Sequence, residues 1–203
     1  MKKTFAIKNL ILISFCMSFF YGTPCFADEI EKIRGLYAEI NKTIEEGSAK
    51  EVILHLTSKG WKKFAKAKIK SDEDLDLIES AKVYLTNGRP LKSIMTVASP
   101  SGDWESTSDY YFYENEKTSF IFESYLTYQG YNFDKEEDLP PGPYVIEKRV
   151  YFDEKGQEIK SITKSFIKSS KKEIPLKYLK KNQFDIYTDV KSLPFYNLLH
   201  KSG

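Results

Sequence analysis

The chain has 203 residues, 41% of them hydrophobic and 30% charged, with 31 Lys and Arg against 29 Asp and Glu. So even a balance gives no global electrostatic case for nucleic acid or an anionic membrane surface. With only two histidines, a multi-histidine metal site is excluded.

Lys2, Lys3 and Lys8 lead into an apolar run from Leu10 to Phe20, and Cys25-Phe26-Ala27 places small residues where a signal peptidase reads. This is the pattern of a secretory signal with cleavage after Ala27. The run is short for a bilayer span and is closed by Gly22 and Pro24. Neither Cys16 nor Cys25 follows the small residue that a lipidation signal places before its cysteine. Cleavage would remove both cysteines and three lysines, leaving 28 basic against 29 acidic residues and a net charge of −1. The remainder could form no disulfide and would offer no thiol as nucleophile or metal ligand. The expectation is a periplasmic or secreted protein without a membrane anchor after cleavage. Residues 28–203 read as a single domain: 28–80 mainly helical, 81–164 a β-meander, and 165–203 a C-terminal segment docking on the sheet.

Asp28 to Glu46 is the clearest helix, with Ile30, Ile33, Tyr37, Ile40 and Ile44 on one stripe and Gly47 as the C-terminal stop. Glu51 to Leu56 fits either helix or strand. Trp61 to Ile69 reads as helical, with Trp61, Phe64, Ala65 and Ile69 on one side and lysines around them. Asp72, Asp74 and Asp76 imitate the first ligands of a calcium loop, but Leu77 and Val83 stand where the loop needs glycine and a bidentate acid.

Three related hairpins follow. Val83 to Ile94 turns at Asn87-Gly88, Val150 to Ile162 turns at Gly156, and a looser copy runs from Tyr110–Tyr113 through Glu114–Lys117 into Phe120–Phe122. Their repetition implies an antiparallel meander of about six strands. Phe120, Phe122, Leu126 and Tyr128 point one way, and Ile121, Glu123, Tyr125 and Thr127 the other. A sheet with one wet face would alternate more cleanly, so the second face is also expected to be covered, in part by the C-terminal segment or by curvature that makes a concave pocket. Asp134 to Asp138, followed by Pro140, Pro141 and Pro143, reads as a loop between two strands. The tail from Ile174 to Leu199 is too apolar for a disordered end.

No Gly-x-Ser-x-Gly elbow, phosphate-cradling glycine loop or His-Glu-x-x-His helix occurs. His55 and His200 read as packed or surface residues, and no metal or cofactor is implied. One constellation carries a site hypothesis: Glu147, Arg149 and Tyr151 share a strand face, with Glu123 and Tyr125 on the same side of a neighbouring strand if the hairpins pair consecutively. Carboxylate, guanidinium and phenol could orient a polar ligand or serve acid–base work on a sugar or peptide. The plainer reading is a cross-strand Glu–Arg pair with Tyr packed beside it.

The Ile30–Asn41 helix pattern Ile-x-x-Ile-Arg-x-x-Tyr-x-x-Ile-Asn, with the later Tyr-Tyr-Phe and Glu-Lys-Arg-Val-Tyr-Phe-Asp-x-x-Gly strands, resembles a diffuse group of exported bacterial proteins without an assigned activity. The Tyr-Phe-x-x-x-Gly hairpins are similar to those of MORN-type repeats, which implies a scaffold or contact surface. The order of elements also resembles NTF2-like cones, which implies a pocket closed by N-terminal helices. Together these readings give an α+β fold, N-terminal helices packed on a meander of about six strands. The expected function is a non-catalytic binding or protein-interaction module of the cell envelope. The alternatives are a small-molecule pocket protein or a hydrolase using Glu and Tyr, so the expected partner is a protein or a small polar ligand.

Overall fold

The computed structural model describes residues 26–64, 79–128, 142–179 and 186–200. Residues 1–25 of the expected signal peptide, residues 65–69 of the expected Trp61 helix, residues 72–77 of the calcium-loop imitation and the 134–138 loop lie outside them. Helix α1 (Phe26–Glu45) is followed by strands β1 (Lys50–Thr57), β2 (Gly60–Phe64), β3 (Glu79–Thr86), β4 (Arg89–Ala98), β5 (Trp104–Phe112), β6 (Thr118–Thr127), β7 (Tyr144–Phe152) and β8 (Glu158–Ile167). A four-residue helix, α2 (Tyr196–Leu199), closes the tail. The strands form one sheet in the order β2-β1-β3-β4-β5-β6-β7-β8, every neighbouring pair antiparallel.

This corrects the expected α+β class with N-terminal helices on about six strands. Among the described residues the molecule is dominated by an eight-stranded sheet, and one N-terminal helix packs on it. The difference arises in residues 50–64. Glu51 to Leu56 is strand β1, and the start of the expected Trp61 helix is β2, joined to β1 by a turn in which Gly60 takes φ +93°. Val52, Ile53 and Leu54 are half-buried or buried because β1 pairs with β3 on one side and β2 on the other. A sheet neighbour thus settles what a short apolar run leaves open.

The three hairpins form where their turn residues place them. Asn87 and Gly88 adopt φ +54° and +80° between β3 and β4, the two positive angles of a type I′ turn. Gly156 takes φ +84° between β7 and β8, and Glu114–Lys117 joins β5 to β6.

Both faces of the sheet are covered, by different parts of the chain. On one face α1 lays Ile30, Ile33 and Ile40 against Leu91, Tyr111, Phe120 and Tyr151. On the other, Val190, Leu193, Phe195 and Leu199 of the tail pack on Leu54, Val83, Tyr110, Ile121 and Val150. The tail is tied to the β5–β6 turn by backbone bonds from Thr118 N to Thr188 O (3.0 Å) and from Val190 N to Glu116 O (3.0 Å). A smaller cluster on the tail's face joins Tyr125, Tyr144 and Ile146 to Leu179.

Candidate functional site

The pleat decides which side chains can meet. β6 and β7 pair with Phe120 opposite Tyr151, Phe122 opposite Arg149 and Ser124 opposite Glu147. Glu147, Arg149 and Tyr151 therefore share the face covered by α1, as expected. Glu123 and Tyr125 lie opposite Lys148 and Ile146, on the tail's face. Both are buried there, Tyr125 beside Tyr144 and Ile146, so the sheet separates them from the other three. The five expected site residues form two groups, one on each side.

Between α1 and β5–β7 the helix leaves a cleft of about 340 Å³. Its apolar wall is built from Ile33, Tyr37, Tyr111, Phe120 and Phe122. The rings touch in sequence: Tyr37 to Tyr111 at 4.8 Å, Tyr37 edge-on to Phe120 at 5.7 Å, and Phe120 to Tyr151 at 4.9 Å between centroids. Tyr37 stands at the mouth, 41% exposed, whereas Tyr111 is buried and donates from its hydroxyl to Asn41 Oδ1 of the helix at 3.1 Å.

The polar lining consists of Arg34, Arg149 and Asp109 with Tyr151. Arg34, from the helix, donates to Glu31 one turn earlier, and this bond, with a second that it donates to the Tyr151 oxygen, raises its pKa. Arg149, from the sheet, lies over the Phe122 ring with its guanidinium carbon 5.7 Å from the centroid, and its Nη2 is 3.5 Å from Glu147 Oε2. Asp109 is held at 2.7 Å by Lys92 Nζ, in a pair whose side chains are only 19% and 10% exposed. The same ammonium sits 4.6 Å above the Tyr111 ring. Burial, followed by the charge of Asp109, pushes the Tyr111 phenol well above its ordinary range. Burial does the same to Tyr113, which donates to the Phe152 carbonyl at 2.8 Å. Both phenols are therefore neutral donors at physiological pH and poor candidates for a general base.

On the same face, two residues further along β5 and β6, Thr107 and Ser124 line a second, polar cavity of about 210 Å³ together with Glu105 and Lys168. Strand register makes the two cavities neighbours on one face, with aromatic, charged and hydroxyl side chains following one another in rows.

Sequence reasoning found Arg149 and Tyr151 but missed the opposite wall. Its signal was present: Tyr37 belongs to the helix stripe with Arg34 one turn before it, and Tyr111 sits in the Tyr-Tyr-Phe run. Among the described residues, no group of three or more His, Cys, Asp or Glu could hold a metal ion, and no helix is long and apolar enough to cross a membrane. No protein-family model, curated protein or solved structure matches the chain, so the comparisons bear neither way on the resemblances to MORN-type hairpins and NTF2-like cones.

Proposed function

We propose that this chain is an exported, non-catalytic binding protein of the cell envelope that holds a small molecule between α1 and the sheet. The observation that carries this is the cleft itself: about 340 Å³, walled by rings, with two guanidiniums entering from opposite elements. Its volume falls at the small end of the ~300–1,000 Å³ usual for small-molecule sites, and a mostly apolar lining with a few convergent polar groups is their common form. The chemistry favours holding over reacting. The buried phenol is protonated, and the carboxylate in the lining is closed by an ammonium. Export rests on the basic and apolar pattern of Lys2 to Ala27.

Native mass spectrometry of the full chain, expressed with its N-terminal segment and purified gently from a bacterial periplasm, tests the reading. A reproducible added mass that leaves on denaturation, and that is lost when Phe120→Ala opens the wall, supports it. A bare polypeptide mass overturns it if saturation-transfer NMR also detects no aromatic fragment on the protein.

A further inference from the structure

Taking that cleft as a ligand site, we infer that its ligand is a small carboxylate carrying a flat apolar body. The carboxylate is received by Arg34 and Arg149, and the ring lies against Tyr37 and the rings behind it. Charge decides the sign of the ligand. Among the described residues, the carboxylate in the lining is Asp109, and it is answered from inside the protein by Lys92 at 2.7 Å, in a pair largely removed from water. It neither calls for a ligand cation nor presents an unmet negative charge to an anion. The guanidiniums are differently placed. Each carries five N–H donors in a planar fork. Among the described residues, Arg149 has one carboxylate contact, at 3.5 Å, with its side chain 43% exposed. Arg34 meets Glu31 and Tyr151 while remaining 56% exposed. Exposed pairs of this kind are weak, so an incoming carboxylate can share or displace them at little cost and gain charge-assisted bonds.

The apolar part of the ligand follows from the wall. Tyr37 and Phe120 already meet edge-on at 5.7 Å, which leaves the half-exposed Tyr37 at the mouth as a surface for another ring. Because Arg34 belongs to the helix and Arg149 to the sheet, a carboxylate between them would also bridge the two layers.

Isothermal titration of the full chain with three probes of matched shape tests this: 1-naphthylacetate, its neutral amide 1-naphthylacetamide, and the cationic 1-naphthylmethylamine. The expected order is acid, then amide, then amine, with the acid about tenfold tighter than the amide at low salt. That preference should shrink in Arg149→Gln and in Arg34→Gln, with acid binding weakened more than amide binding in each. Arg34 is exposed on the helix, so its variant remains informative if Arg149→Gln fails to fold. Equal affinity for acid and amide, both weakened by Tyr37→Ala, overturns the anionic class and leaves the binding reading standing. Failure of all three probes to bind overturns this ligand class, while the binding reading stands or falls with the native mass.

Discussion

Single residues in this molecule answer to the face on which the pleat places them. Lys92 is a clear case, since its ammonium is buried against Asp109 and above Tyr111. Removing one member of a buried pair strands the other. Lys92→Met is expected to lower stability by about 3–5 kcal/mol in urea unfolding, and Lys92→Met with Asp109→Leu to recover most of it. An equal loss in single and double variants would refute this. His55 gives a pH dependence. Both ring nitrogens are buried and, among the described residues, without a hydrogen-bond partner, and the ring meets Phe64 at 4.9 Å. Burial holds its pKa below the ordinary 6.5. The unfolded chain therefore takes up a proton before the folded one does, so stability is full above pH 6.5 and declines as the pH falls below it. His55→Leu should flatten that decline, as read from urea midpoints between about pH 7 and 5.

The same scale shows what the sequence left illegible about the site. Arg149 and Tyr151 share a face by alternation along one strand, which can be read locally. Whether Glu123 joins them depends on pairing register between strands, and a shift of one residue exchanges the faces. The observed register sets Glu123 opposite Lys148, and nothing within either strand announces it.

Among the elements, α1 and the hairpins were legible because a helix stripe and an Asn-Gly turn are short-range signals. Residues 50–64 were not. Trp61, Phe64 and Ile69 imitate helical spacing, and what makes Trp61–Phe64 a strand is its partner β1. The turn glycine Gly60, after Ser58 and Lys59, was the available clue. The tail was expected to dock, but the means of its attachment were not foreseen. Asp189 caps a short 3-10 turn by accepting from Ser192 N at 2.9 Å, and it also receives Lys117 Nζ at 3.1 Å. Partial burial pushes Asp189 upward, but the bonds from Lys117 and Ser192 prevail and hold it below the usual carboxylate value. Asp189→Ala should cost about 1 kcal/mol for the lost cap, with a smaller loss for the half-exposed ion pair. Amide exchange at Val190 and Thr118, the two bonded positions, should rise more than at the β3–β4 hairpin. Uniform exchange across the sheet would argue against a local strap.

For the molecule as a whole, the expected sheet of about six strands becomes eight, and its two covers come from sequence-distant segments. The tail reaches as far as β2, where Phe195 meets Trp61 at 5.0 Å between ring centroids. Phe195 is 1% exposed, and Phe195→Ala is expected to cost about 3–5 kcal/mol. Trp61 fluorescence should report the loss directly through a red shift in the folded state. An unchanged spectrum with full stability would place the tail's contribution elsewhere.

The linear strand order has a consequence for how copies of the protein behave together. The sheet does not close on itself among the described residues, so it ends at β2 and β8, the last residues of β8 being paired with the segment around Glu173. Such ends invite a head-to-tail filament, in which β8 of one copy pairs with β2 of the next and the addition never closes. Here β2 presents Lys62 and Lys63, and β8 presents Lys160 and Lys164, all four exposed. Polymerisation would have to bring ammonium groups against ammonium groups, a repulsion that concentrated salt screens. Lysines outside the cleft thus oppose edge-to-edge pairing of copies, most strongly at low salt.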